Sequence, residues 1–334
     1  MCPTHAPSPH ASIFAQQDVS LFAVSLNAVI VAATLEEPRV LAVRAGRRNL
    51  DALPSGPLVP DHRTLEAGLR AWVEQQTDQR LGYVEQLYTF GDRGRTETDG
   101  SALTQGLALA YLALVREARP AGSMEATWQS WYRYFPWEDW REGRPGILDP
   151  IRQELEAWSE AASTEAVRCL RRERIELTFG FADLGWSDER VLERYELLYE
   201  ARLVPEAWRD RGEPLPDAAA LAPGTPMALD HRRMLATAIA RLRGKIKYRP
   251  VVFELMPPAF TLLQLQRTVE ALAGVRLHKQ NFRRLVEAQG LVEETGESTA
   301  ETGGRPARLV RFRRKVLLER PAPGVRLPRH LSAP

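Results

Sequence analysis

The sequence predicts an α+β protein of two domains, an N-terminal α/β layer and a C-terminal helical pair closed by a hairpin. Three observations carry this. Short β-rich runs alternate with one helical stretch over the first third of the chain. Two short helices and two strands follow one another between Thr261 and Arg313. The charge is also divided: from Arg241 to the end there are 19 Lys+Arg against 8 Asp+Glu, net +11, and residues 1–240 hold 26 against 35, net −9. A basic module joined to an acidic one implies a polyanionic partner for the basic half.

Length and composition agree with two cores. The chain has 334 residues, 44% hydrophobic and 26% charged, as in ordinary globular proteins. Its two cysteines, Cys2 and Cys169, lie far apart and imply neither a disulfide framework nor a thiolate metal site. This fits a reducing cytoplasm. Residues 1–18 are rich in Pro, His, Ala and Ser and lack the apolar core of a signal peptide, so a disordered tail is expected there. The longest apolar run, Leu21 to Leu35, is interrupted by Ser25 and Asn27 and is too short to span a bilayer as a helix. No membrane segment is expected.

Leu21–Val31 and Val40–Val43 read as strands separated by the Glu36-Glu37-Pro38 turn signal. Leu65–Gln76 is helical, with Leu69 and Val73 on the face of Leu65. Tyr83–Phe90 and Leu107–Val115 are further strands. The segment Trp128–Trp140 (WQSWYRYFPWEDW) holds seven aromatics in thirteen residues. Rings at this density bury large areas and point to core or interface rather than to a base-stacking platform, since the segment lies in the acidic half. Ile147–Ala161 reads as a helix, Ile175–Phe181 as a strand and Asp188–Glu200 as a charged amphipathic helix.

Glu213–Pro226 is a Pro/Ala loop and the best boundary. The expected organisation is a tail at 1–18, an N-terminal domain at 19–226 that includes the middle region 120–211, a C-terminal unit at 227–320 and a tail at 321–334. The last unit opens with a connecting helix, Asp230 to Lys247, capped by Asp230 and stopped by Pro250. Leu235, Ile239, Leu242 and Ile246 form its one buried stripe.

Thr261 followed by Gln264 is a capping-box pattern. Leu265, Val269 and Leu272 line one face of the helix it starts, and Gly274 suits its left-handed end. A second helix, Lys279–Gln289, turns Phe282, Leu285 and Val286 inward and Gln280, Arg283, Arg284 and Glu287 outward. Leu291–Thr295 alternates as a strand, Gly296–Gly304 is a polar loop, and Arg305–Arg313 returns as a strand. Helix, turn, helix and hairpin in this order make a winged helix-turn-helix, whose second helix enters the major groove of double-stranded DNA. The DNA-binding residues expected are Lys279, Gln280, Asn281, Arg283 and Arg284 on that helix, and Arg305 and Arg308 on the wing. Arginine forks suit guanine edges, Gln or Asn suits adenine, and wing arginines suit phosphates or the minor groove.

The segment LPSGPLVPDHRTLEAGLRAWVEQQT looks like a Nudix box, the loop-helix-loop of nucleoside-diphosphate hydrolases. That chemistry needs clustered carboxylates for Mg²⁺. With Gly56 as the first glycine, His62 stands where the box has Glu, Arg70 fits the arginine, Ala71 and Gln75 replace two further acids, and Glu74 alone matches. Sliding by one residue leaves Trp72, Gln75 and Gln76 in place of all three helix carboxylates. The fold pattern survives and the hydrolase pattern does not, so no catalytic or metal-binding residue is expected.

The chain as a whole resembles the Nudix-related transcriptional regulators of NAD metabolism, the NrtR family. The resemblance is carried by TLEAGLRAWVEQQTDQRLGYVEQLYTFGD, LALAYLALV, ALDHRRMLATAIARLRGKIKYRPVVFELMPPAFTLLQLQRTVEALAG, HKQNFRRLVEAQGLVEETGE and GRPARLVRF. It implies a Nudix-like α/β sandwich followed by a winged helix-turn-helix, acting as a homodimer. It further implies a repressor of NAD synthesis or uptake genes that binds an operator and senses ADP-ribose or a related nucleotide, with no cofactor. The bulky middle, Pro120–Arg211, departs from the typical member. Position and chemistry, rather than the resemblance, nominate Arg44, Arg93 and Arg95 for the diphosphate, since anionic ligands need Arg-type donors at a cleft edge. Two rivals accompany this reading: a hydrolase using acids outside the box (Glu85, Glu154 or Asp183), and an adaptor whose basic domain binds protein.

Overall fold

The computed structural model describes residues 22–45, 49–91, 105–116, 126–182, 184–300, 306–320 and 322–325. The tails, Arg93, Arg95, Asp183 and Arg305 of the sequence analysis lie outside these residues, apart from 322–325 of the second tail.

The N-terminal sheet contains seven strands among the described residues: β1 Phe22–Ala33, β2 Pro38–Ala45, β3 Leu50–Ala52, β4 Ser55–Pro57, β5 Tyr83–Phe90, β6 Gln105–Leu114 and β7 Ala126–Ser130. Their order is β3-β2-β1-β6-β5, with β4 added to β1 and β7 to β2. The long pair β1 and β6 is parallel, from Phe22 beside Gln105 to Val31 beside Leu114, and the other pairs are antiparallel. β1 reads as a nearly continuous apolar run because both of its faces are buried. Leu26, Ala28, Ile30 and Ala32 pack on Leu69 and Val73 of helix α1, Leu65–Thr77. Val29 and Val31, on the opposite face, join a larger core that runs through the aromatic segment and into the C-terminal part.

Thr64 starts α1 by accepting the N–H of Ala67, and Asp78 ends it in the left-handed region. The middle is helical: α2 Leu148–Glu160, α3 Glu165–Phe179, α4 Val191–Glu200 and α5 Pro205–Arg209. Here the expected strand at Ile175–Phe181 is corrected. Ile175 and Phe179 end α3, buried on one helical face four residues apart, so packing overrides the β-type composition. The aromatic segment behaves as core: Trp131, Tyr134, Phe135 and Trp137 are each fully buried, along two short 3-10 turns that follow β7.

Helix α6, His231–Tyr248, is buried on more than the expected stripe. Leu235, Ile239, Leu242 and Ile246 face inward, and so do Met234, Ala236, Ala238, Arg232 and Arg243. It packs against α4 and against strands β1, β5 and β6. Asp230 occupies the N-cap but does not cap with its side chain; its carboxylate pairs with Arg233 at 3.3 Å. Helices α7 Leu262–Ala273 and α8 Lys279–Ala288, strands β8 Val292–Thr299 and β9 Ala307–Phe312, and the short α9 Val316–Glu319 complete the chain. Among the described residues no helix is long and apolar enough to cross a membrane.

Candidate nucleic-acid interface and sensor site

The helical pair is built by local signals. Thr261 Oγ1 accepts the N–H of Gln264 at 3.1 Å, and the Gln264 side chain accepts the N–H of Thr261 at 2.7 Å, a complete capping box. Leu265, Val269 and Leu272 are buried. Gly274 takes the left-handed conformation, φ +75°, that ends α7. In α8 Phe282 and Val286 are buried and Leu285 half-buried, which leaves Lys279, Gln280, Asn281, Arg283, Arg284 and Glu287 exposed together. Arg284 Nη2 donates to Asn281 Oδ1 at 2.5 Å across one helical turn. These exposed groups can both donate to and accept from base edges.

The wing is longer than the sequence suggested. β8 runs on to Thr299 through a register shift between Glu294 and Ser298, where Gly296 has φ +84°, so part of the expected loop is strand. Of the returning strand expected over Arg305–Arg313, β9 spans Ala307–Phe312, and Arg305 lies outside the described residues. Arg308 is exposed and pairs with Glu294 at 2.7 Å; Arg311 pairs with Glu293 at 2.7 Å. Such exposed pairs contribute about 0–1 kcal/mol, so phosphates can compete for these arginines. Phe260 and Val310 exchange backbone hydrogen bonds at 2.9 and 2.8 Å, which ties the start of α7 to the wing. A cleft of about 630 Å³ is lined by Phe253, Met256, Phe312, Arg314 and Lys315 and by Arg116, just past the end of β6.

On the box helix α1, Glu74 is exposed and pairs with Arg80 at 3.2 Å. Arg70 binds Glu66 and the carbonyls of Leu81 and Gly82, so it fastens the helix to the following loop. Trp72 lies directly on Gly56, where a Cβ would come within 2.3 Å of the indole, and its Nε1 donates to the Pro57 carbonyl at 2.8 Å. His62 packs on Gly68 in the same way. Among the described residues no group of three or more His, Cys, Asp or Glu is arranged to hold a metal ion. Arg44, half-exposed on β2, pairs with the buried Asp51 at 2.9 Å and donates to the Asn49 carbonyl at 3.1 Å. The Asp51 carboxylate also accepts the Tyr134 hydroxyl at 3.0 Å, and burial followed by the Asp51 charge pushes that hydroxyl well above its ordinary range.

Of the acids outside the box, Glu85 is committed elsewhere and Glu154 is exposed on α2. Burial alone would raise Glu85, but Lys245, Tyr83 and Arg241 outweigh it and hold the carboxyl below its usual range. Sequence reasoning missed where the α6 cations go. Lys245 pairs with Glu85, Lys247 with Asp188 at 2.8 Å, and Arg243 with Glu138 at 2.7 Å, so part of the C-terminal positive excess neutralises the acidic half internally. The Glu138-Asp139 pair inside an otherwise aromatic run was the available sign of a buried cation partner.

Residues 252–312 match the model of the NrtR DNA-binding winged helix domain. This part of the chain is therefore similar to winged helix domains of the NrtR type. Over 86 residues the chain is 45% identical to the ADPR responsive transcriptional repressor NtrR of Acinetobacter baylyi, a match spanning 26% of this chain and 34% of that relative, about a third of its length. Two crystal structures share the fold over most of the chain. Shewanella oneidensis NrtR complexed with a 27mer DNA is 19% identical with a TM-score of 0.52, covering 88% of this chain and 94% of that one. A MutT/nudix family protein from Enterococcus faecalis is 16% identical with a TM-score of 0.52, covering 91% of each chain. The fold is therefore a Nudix-like α+β domain followed by a winged helix domain, as the sequence predicted.

Proposed function

We propose that the protein is a cytoplasmic transcriptional repressor of NAD biosynthesis or uptake genes. It binds a partly palindromic operator as a homodimer and responds to ADP-ribose or a related NAD metabolite through its Nudix-like domain. The observation that carries this reading is the exposed face of α8 on an NrtR-type winged helix domain. Lys279, Gln280, Asn281, Arg283 and Arg284 read base edges in the major groove, and Arg305 and Arg308 hold phosphates. The 45% identity to a repressor described as ADPR responsive supports the choice of effector. Arg44, with Arg93 and Arg95, is assigned to the effector's diphosphate, because its pairing with Asp51 leaves the guanidinium half-exposed. The domain is a sensor rather than a hydrolase, since His62, Ala71 and Gln75 replace carboxylates of the box and Glu74 is a solvent-exposed partner of Arg80.

The deciding experiment is binding of the full chain to duplexes from upstream of NAD-metabolism genes, with and without ADP-ribose. Specific binding altered by the nucleotide is expected, because a coupled effector must favour one state over another. Equal affinity for specific and scrambled duplexes at every salt concentration removes the repressor reading. Specific binding indifferent to NAD-related nucleotides, with no thermal stabilisation by them, removes the sensor half alone.

A further inference from the structure

The end of α7 is held by groups that do not belong to the winged helix domain. The last carbonyls of a helix have no partner within it. Glu270 O accepts the N–H of Gly274 at 2.9 Å. Ala271 O instead accepts the Tyr132 hydroxyl at 2.6 Å, Leu272 O accepts Arg243 Nε at 2.9 Å, and Gly274 O accepts the N–H of Trp140 at 2.7 Å. Two of these donors come from the aromatic segment and one from α6. The turn is also in closest contact with them. A Cβ on Gly274 would lie 2.4 Å from Glu138 O and 2.9 Å from both Arg243 Nη2 and the Tyr132 hydroxyl.

Behind the turn sits a dry ionic cluster. Glu138, Arg194 and Arg243 are each inaccessible to solvent. The Glu138 carboxylate accepts Arg194 Nε and Nη2 at 2.6 and 2.8 Å and Arg243 Nη1 at 2.7 Å. Two guanidiniums on one carboxylate leave one positive charge in excess. It is spread over the carbonyls of Thr178, Ser187, Asp188 and Leu272 and over the face of Trp186, whose centroid is 3.7 Å from Arg194 Cζ. Buried charges tolerate little displacement, because each lost partner leaves an uncompensated group.

We propose that Arg243, Glu138 and Tyr132 are positioning residues for operator recognition. They weld the turn between α7 and α8 to α6 and the aromatic segment, so α8 moves as one body with α6 and the sensor state reaches DNA through this joint. The proposal rests on the repressor reading for its functional part. The joint itself is a property of the chain that can be read without DNA.

The test uses the full chain carrying Arg243→Met or Tyr132→Phe. Arg243→Met keeps an unbranched stem, removes the guanidinium and leaves Glu138 and Arg194 as a balanced pair; Tyr132→Phe removes one hydroxyl. Amide hydrogen exchange at residues 271–277 and operator affinity at several salt concentrations are measured for each. Arg243→Met should speed exchange at the turn while the β1 and β6 amides keep their protection. It should weaken operator binding about tenfold with the parental salt slope, because no phosphate contact has been removed. Tyr132→Phe should do the same in smaller measure, and it decides the matter if Arg243→Met does not fold. Parental exchange at the turn in a folded variant overturns the joint. Faster exchange with parental operator affinity overturns the positioning role. If the parent binds no operator, the repressor reading fails and the positioning role with it, and exchange still decides whether the weld exists.

Discussion

His231 Nδ1 accepts the backbone N–H of Leu53 at 2.9 Å, so the first turn of α6 is hydrogen-bonded to the N-terminal domain just past β3. The acceptor role requires the ring to be neutral with its proton on Nε2. Burial, and after it the charge of Arg209, pulls the imidazole down to about 4. The unfolded chain takes up a proton near the ordinary histidine value of about 6.5, where the native chain does not. The folded pKa is depressed, so stability is complete above about pH 6.5 and falls as pH drops toward 4, by up to ~1.4 kcal/mol per unit. Urea midpoints measured between pH 7.5 and 4.5 should show this decline. His231→Gln, which keeps an acceptor and cannot titrate, should flatten it; an unchanged slope would assign the acid sensitivity to other groups.

Arg284→Ala and Arg308→Ala should differ in kind. Arg284 lies on the exposed face of α8 and Arg308 on the wing. The first should cost about 1–3 kcal/mol on the preferred operator and relax preference at one base position. The second should weaken binding to every duplex and lower the salt slope by about one unit. Affinities on specific and scrambled duplexes across a salt series separate them, and equal weak effects from both would mean that charge alone is being measured.

Purified protein supplied with Mg²⁺ should not turn over ADP-ribose, NAD or nucleoside triphosphates above background. Glu74, the one acid of the box in register, is exposed and paired with Arg80. Product release followed by chromatography checks this. Turnover abolished by Glu74→Gln would restore the hydrolase reading.

Trp137→Ala should destabilise the fold by about 3–5 kcal/mol, the usual cost of emptying a buried aromatic site. Its ring is fully buried, edge-on to Phe135 at 5.9 Å between centroids and next to the Arg232 guanidinium. Denaturant unfolding measures the loss. A change under 1 kcal/mol would mean that the segment is not the core that joins the sheet to α6.

The winged helix domain was largely legible in the sequence because its signals are local. A capping box, a left-handed glycine and a 3.6-residue apolar period act within a few residues, and the observed α7 and α8 follow them closely. The Nudix-like frame was legible for the same reason along β1, α1, β5 and β6. Short strands such as β3 and β4 carry only three residues each and gave no periodicity to detect. Ile175–Phe181 failed because β-branched and aromatic residues also serve a buried helix face.

The sequence by itself determined the order of elements and the inward and outward faces of α8. Tertiary structure alone decided which charges remain for a partner. Arg243, Lys245 and Lys247 were counted with the basic DNA-binding half, yet all three turn into acids of the other half. Their partners Glu138, Glu85 and Asp188 lie 59 to 160 residues away in sequence. Composition fixes how many charges a chain carries, but a charge taken out of water must find its counterion in space, and only the folded packing determines where that counterion is.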